Sequence, residues 1–134
     1  MGYKLYLLVG LGGALGSMAR FGLSGLVASS IGETFPFGTL AVNIIGSFVI
    51  GFFAALTAPD GRVFVGSMGR QFVMAGICGG FTTFSSFSLQ TLALMQDGEW
   101  GYAGVNVAGS VTACLVSVWL GVICANALNQ LKEA

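Results

Sequence analysis

GGFTTFSSFS, residues 79–88, sets five hydroxyl side chains and three phenylalanines directly behind a glycine pair. The chain is apolar on both sides of it, with FVMAGIC at 72–78 and LQTLALM at 89–95. Gly79-Gly80 ahead of Thr82 predicts a helix broken near Gly79–Thr83. Backbone exposed by such a break must be satisfied inside the protein, or line a cavity or an ion. Freed carbonyls are oxygen ligands suited to a hard cation; a simple kink closed by threonine hydroxyls is the other reading.

The rest of the chain supplies the setting. Charged residues make up 7% of 134 residues and hydrophobic ones 55%, whereas a water-facing domain carries about 25% charged residues. The charges avoid four long windows: residues 5–31 hold only Arg20, and 35–58, 71–96 and 100–131 hold none. Each window exceeds the about 20 apolar residues that cross a bilayer. The expected fold is therefore an all-α membrane protein, one domain of four transmembrane helices at about 3–29, 37–57, 70–96 and 100–129, on a boundary tolerance of about two to four residues. Lys4 and the run from Leu5 to Leu15 resemble a signal peptide, but the apolar run continues past Ala19 and three more spans follow.

Several function classes drop out early. Net charge is zero with no basic cluster, which leaves no nucleic-acid signal, and histidine is absent. Cys78, Cys114 and Cys124 all fall inside spans without a CxxC pair, so they read as small packing residues. No nucleophile pair, general base or metal-ligand cluster argues for an enzyme.

In the connections, Glu33 and Pro36 mark the first turn. PDGR at 59–62 marks the second, with Pro59 presetting φ and Gly61 accepting a positive one. With four spans, both termini and the second connection share one side. That side carries Lys4, Arg62, Arg70 and Lys132 against at most Arg20 on the other, which predicts cytoplasmic termini. Glycine occurs 22 times. Gly12 with Gly16, and Gly76 with Gly80, form small-xxx-small pairs that let helices approach closely in lipid.

Polar residues recur at helical spacing. Thr39, Asn43 and Ser47 fall at i, i+4 and i+8 in the second span, and Tyr102, Asn106 and Ser110 repeat that spacing in the fourth. Ser85 and Ser88 stand beside Phe84 and Phe87 in the third. Such residues commonly bond helices to one another; three aligned stripes favour a track lined by neutral donors. Asp60, Asp97, Glu99, Glu33 and Glu133 all lie in connections or at the end, so the intramembrane carboxylate of a cation-coupled pump is missing. Hydroxyls, amide NH₂ groups and Arg20 are donors and favour an anion. Aromatic ring edges carry positive quadrupole charge, and Phe84 and Phe87, at i and i+3, point to the same side of a helix.

GGFTTFSSF resembles the GG-x-TTFS-T/S-F signature of the CrcB/Fluc fluoride channels. GxxxGSMARF (12–21) and GTLAVNIIGSFVIG (38–51) are similar to that family's first- and second-span blocks. The resemblance covers nearly the whole chain and implies an antiparallel homodimer with two fluoride pathways. By motif position, these would use Phe84, Phe87, Asn43, Thr39, Ser85, Ser88, Tyr102, Asn106, Ser110 and Arg20. It also implies a structural Na⁺ at the dimer centre, held by main-chain carbonyls of Gly79 and Thr82. Ser86 stands where the family more often has threonine, and Asn106 where a smaller hydroxyl is common.

The implied function is passive export of fluoride across the plasma (inner) membrane, relieving fluoride toxicity. The Lys/Arg bias of four to one runs against dual insertion. A small dimeric multidrug exporter is the alternative, but it needs an acid in its first span, where this chain offers Arg20. A non-transporting assembly subunit is a third reading.

Overall fold

The computed structural model describes residues 2–133, with side chains described through residue 131. The regular structure among them is entirely helical. Helix α1 is Gly2–Ile31 and α2 is Phe37–Leu56. The third span opens with α3 (Ser67–Gln71), widens into a π-helical segment (Phe72–Cys78), and returns to a single α turn, α4 (Gly79–Phe81). After the break it resumes as α5 (Phe84–Gln96), and α6 (Trp100–Glu133) completes the fold. Four helical stretches are long and apolar enough to cross a membrane: Gly2–Ile31, Phe37–Leu56, Ser67–Gln96 and Trp100–Leu131.

The connections follow from local chemistry. Gly32 takes φ +101° and its N–H closes on the Ala28 carbonyl at 2.8 Å, stopping α1. Gly98 takes φ +79°, and Glu99 bonds back to Leu94 at 2.8 Å to stop α5. Gly61 differs from expectation, since its φ is not positive. What requires glycine there is space: a Cβ would meet the Leu56 carbonyl oxygen and, at 2.9 Å, that of Ala58.

α1 packs against the π segment and α4, and α2 packs along α6. The glycine pairs make the first contact. A Cβ on Gly12 would lie 3.0 Å from the Gly76 Cα, one on Gly80 would lie 3.0 Å from the Gly13 Cα, and one on Gly16 would strike the backbone of Ile77 and Phe81. Side chains there would force the helices apart. In the second contact Gly51 abuts Val118, Gly121 abuts Phe48, and the Ser117 hydroxyl donates to the Ile44 carbonyl at 2.7 Å.

Burial is inverted relative to a water-soluble fold. Buried polar residues are Thr39, Thr57, Thr91, Asn106, Ser110 and Ser117, while the buried apolar ones are Val42, Cys78, Leu94, Ala103 and Ala125. Large apolar side chains such as Tyr6, Phe21, Leu115 and Trp119 cover the outside. Lipid solvates that exterior, and helix contacts are left to small residues and hydrogen bonds.

The two ends of the bundle are tied separately. At one, Arg62 gives its N–H to Asn129 Oδ1 at 2.7 Å and its guanidinium to the Leu128 carbonyl at 3.2 Å. Arg70 there donates to the Ala54 carbonyl at 3.3 Å and to the Thr57 hydroxyl, completing the C-terminus of α2. At the other, Phe35 meets Tyr102 edge-on with centroids 6.1 Å apart. The second connection and the C-terminal part of α6 thus share an end, as four crossings require. The side chain of Lys132, fourth of the counted cations, lies outside the described residues.

Candidate ion pathway at the helix break

The break in the third span is two residues long. Thr82 (φ −88°, ψ 158°) and Thr83 (φ −151°, ψ 113°) are extended, between α4 and α5. Thr82 closes α4: both its N–H and its hydroxyl donate to the Cys78 carbonyl, at 3.0 and 2.9 Å. Thr83 opens α5 as its N-cap, the hydroxyl oxygen accepting the Ser86 N–H at 3.1 Å. The clustered hydroxyls in the sequence therefore act first as substitutes for missing helical bonds.

Two side chains from other helices complete the substitution. Asn43 faces Thr83 with its whole amide, Oδ1 accepting the Thr83 N–H at 2.8 Å and Nδ2 donating to the Thr83 carbonyl at 3.1 Å. Arg20 donates Nε–H to the Gly80 carbonyl at 3.0 Å, with the Ser17 hydroxyl on the same oxygen at 3.5 Å. The only charge within the four apolar windows therefore sits at the break. In an unbroken helix the Thr83 N–H would bond the Gly79 carbonyl; here Asn43 holds it. The extended Thr82 likewise cannot present its carbonyl along a helix axis. Gly79 and Thr82 thus fit the description of backbone oxygens released by the break. Among the described residues no group of three or more His, Cys, Asp or Glu side chains could hold a metal.

Beside the break lies an open-sided cavity of about 390 Å³. Asn43, Ser47, Thr82, Thr83 and Ser110 give it hydroxyl and amide groups, Phe84 and Phe87 give it rings, and none of its lining residues is Asp, Glu, Lys or Arg. The two rings stand 5.3 Å apart, tilted by 52°. Phe84 is 76% exposed, so the cavity opens toward the outside of the subunit. Gly46 admits the Thr82 side chain, which would collide with any Cβ there.

Behind Ser110 runs a buried line of hydrogen bonds. Ser110 donates to Asn106 Oδ1 at 3.3 Å, Asn106 Nδ2 donates to Thr91 Oγ1 at 2.9 Å, and Thr91 donates to the Phe87 carbonyl at 2.7 Å. Thr91 was not singled out from sequence. Its signal was available, since it lies four residues beyond Phe87 and can bond back to that carbonyl.

The remaining expected residues lie apart from this cavity. Thr39 is buried, yet lines a second cavity of about 440 Å³ near the first connection, shared with Glu33, Gln90 and Asp97. Gln90 Oε1 is buried without a hydrogen-bond partner. Tyr102 is 46% exposed and packs on Phe35. Ser85 and Ser88 are exposed, the first 3.3 Å from the Thr83 hydroxyl and the second donating to the Phe84 carbonyl at 3.0 Å. The structure thus gathers Asn43, Phe84, Phe87, Ser110 and the Gly79–Thr83 break, seats Asn106 behind them and Arg20 at the break, and separates Thr39, Tyr102, Ser85 and Ser88.

Known proteins share this arrangement's sequence. Residues 7–122 match the family described as CrcB-like protein, Camphor Resistance (CrcB). A protein of Opitutus terrae named fluoride-specific ion channel FluC is 69% identical over 129 residues, covering 96% of this chain and 98% of that protein. Proteins of the same name from Rhodospirillum rubrum and Paramagnetospirillum magneticum are 59% and 58% identical over 125 residues, covering 93% of this chain in each case. With most of its length matched, break and flanking spans included, the chain belongs to the CrcB family.

Proposed function

We propose that this multi-pass membrane protein is a fluoride-selective passive channel that exports fluoride from the cytoplasm across the plasma (inner) membrane. The observation that carries the reading is the cavity beside the break, where hydroxyls, an amide and two phenyl rings converge without an Asp, Glu, Lys or Arg side chain. Neutral donors can replace the water of a small anion without the deep well a fixed cation would create. The names of the relatives support fluoride as that anion, and they denote ion channels.

Fluoride is the base of a weak acid. Neutral HF enters from acidic surroundings, dissociates in a near-neutral cytoplasm and is trapped as the anion. An inside-negative membrane drives a unit negative charge outward with about 2.3 kcal/mol per 100 mV, so no coupled ion is needed. Asn43, Phe84, Phe87 and Ser110 would form the pathway wall, with Asn106 behind Ser110. Arg20 would lend positive potential at the break.

A single subunit leaves the cavity open and Phe84 exposed. A second, antiparallel copy would close it, giving a homodimer with two pathways. The carbonyls of Gly79 and Thr82 suit a hard cation. Two from each subunit would hold Na⁺ between the breaks, where the ion would supply a fixed positive charge pinning the two copies together.

The test is fluoride release from liposomes, read by electrode after the purified protein is added. Fluoride efflux without chloride efflux is expected, and fluoride flux no greater than from protein-free liposomes would overturn the reading.

A further inference from the structure

We infer that Thr91 is a positioning residue for permeation, holding the Ser110–Asn106–Thr91 line so that its hydrogen bonds can reverse direction when an anion enters. The inference rests on the channel reading and adds a residue and a switching step to it.

As the line stands, every proton points away from the cavity. The Ser110 proton is committed to Asn106 Oδ1, so Ser110 turns lone pairs, not a donor, toward the space beside Phe87. Thr91 sends its own proton to the Phe87 carbonyl. An anion meeting this wall would face acceptors. The groups are nearly enclosed, with exposures of 2% for Asn106, 6% for Thr91 and 7% for Ser110, so water is poorly placed to make up for a broken bond.

A half-turn of the Asn106 amide resolves the conflict. The two ends of the amide are nearly the same shape, and a hydroxyl can donate or accept. After the turn Asn106 Nδ2 donates to Ser110 Oγ, Ser110 directs its proton into the cavity, and Thr91 donates to Asn106 Oδ1. Three hydrogen bonds precede the reversal and three follow it, the last now ending on the anion. No proton leaves its heavy atom. The Phe87 carbonyl loses only an additional bond, because the Thr91 N–H four residues on is its partner in the helix.

Thr91 is essential to this exchange because it can serve as acceptor in one state and donor in the other. Valine has nearly the same shape and can do neither. In a Thr91→Val protein the amide would lack a partner in either orientation, burying an unpaired Nδ2 before the turn and an unpaired Oδ1 after it, so nothing would hold it in line with Ser110.

Fluoride efflux from liposomes tests this. Thr91→Val should slow efflux about tenfold or more, the weight of the lost bond that anchors the buried amide, while Thr91→Ser should stay within about twofold of the parent. In parallel, the unaltered chain carrying ¹⁵N-asparagine should show the Asn106 side-chain amide signal, assigned by its loss in Asn106→Ser, shift on addition of fluoride and not of chloride. Full-speed efflux by Thr91→Val, or an Asn106 signal unmoved at saturating fluoride, overturns the inference alone. Absence of efflux from the unaltered chain overturns the channel reading and the inference with it. Should Thr91→Val not elute as a folded protein, the amide signal decides.

Discussion

Asn43 on α2 and Thr83 in the extended break of the third span exchange two hydrogen bonds, Oδ1 accepting the Thr83 N–H at 2.8 Å and Nδ2 donating to the Thr83 carbonyl at 3.1 Å. One side chain thereby supplies the acceptor that the break takes from the Thr83 N–H, and adds a donor to the Thr83 carbonyl. The break is held by α2, so the shape of the cavity depends on the α2 contact as much as on its own sequence.

Asn43→Ala should therefore abolish fluoride efflux. It leaves the Thr83 N–H unpaired away from water, at a cost of about 1–3 kcal/mol, and takes an additional bond from the Thr83 carbonyl. The variant should keep the parent's helical circular dichroism and its elution on size exclusion, because the glycine contacts of α1 are untouched. Asn43→Asp should fail as well, since a carboxylate retains the acceptor for the Thr83 N–H but sets a second acceptor against the Thr83 carbonyl. Efflux at the parent rate in either variant would remove the clamp from the account.

Phe84 is exposed in the subunit and touches Phe87 at 5.3 Å. Phe84→Ala should leave subunit stability within about 0.5 kcal/mol, as for other exposed positions. Efflux should nevertheless fall about two- to tenfold, the weight of one ring interaction. Comparing thermal unfolding in detergent with the electrode trace separates the two effects.

Gly16→Val should be far more damaging to the fold than its small volume suggests. The added side chain meets backbone of Ile77 and Phe81, which cannot rotate away. Overpacking of this kind costs about 1–3 kcal/mol or more, and the variant should aggregate on size exclusion. Gly22→Val, on the same helix with open space around it, is the control that should elute normally.

Arg20→Met should weaken the break without emptying the cavity. It removes the guanidinium from the Gly80 carbonyl, a charge-assisted bond worth about 1.5–3 kcal/mol. Lower thermal stability and slower efflux are expected together. Thermal stability equal to the parent's would show that the carbonyl finds another donor.

Flux should also be indifferent to pH over the near-neutral range at fixed fluoride activity. No Asp, Glu, Lys or Arg lines the cavity, and the chain has no histidine. A sigmoidal pH profile in liposomes clamped at constant fluoride would require a titrating group outside the residues named here.

The four crossings were legible because bilayer thickness sets a minimum length and charge is costly within it; Arg20 alone interrupts the windows. The break was legible in Gly79-Gly80 and the hydroxyls behind it. The clamp was not: Asn43 and Thr83 are far apart in sequence, and nothing local says which backbone an amide will meet. Helical spacing gave Thr39 and Tyr102 a face within their stripes, not the groups each would meet. Each four-residue step climbs about 6 Å along the axis, so over eight residues a stripe extends about 12 Å, which sets Thr39 beside another cavity and Tyr102 against Phe35. Thr91 was overlooked because TLALM looks like plain hydrophobic filling.

FVMAGIC carries no hint of its own geometry, yet its wide turns fix an angle. Upstream and within it, one side of the span is keyed to α1 through Gly76; downstream, Thr83 must aim at Asn43. One residue added to the single α turn that follows it would swing everything beyond by about 100°. The protein's phase, more than its composition, would then be wrong: the same side chains would remain, aimed at lipid.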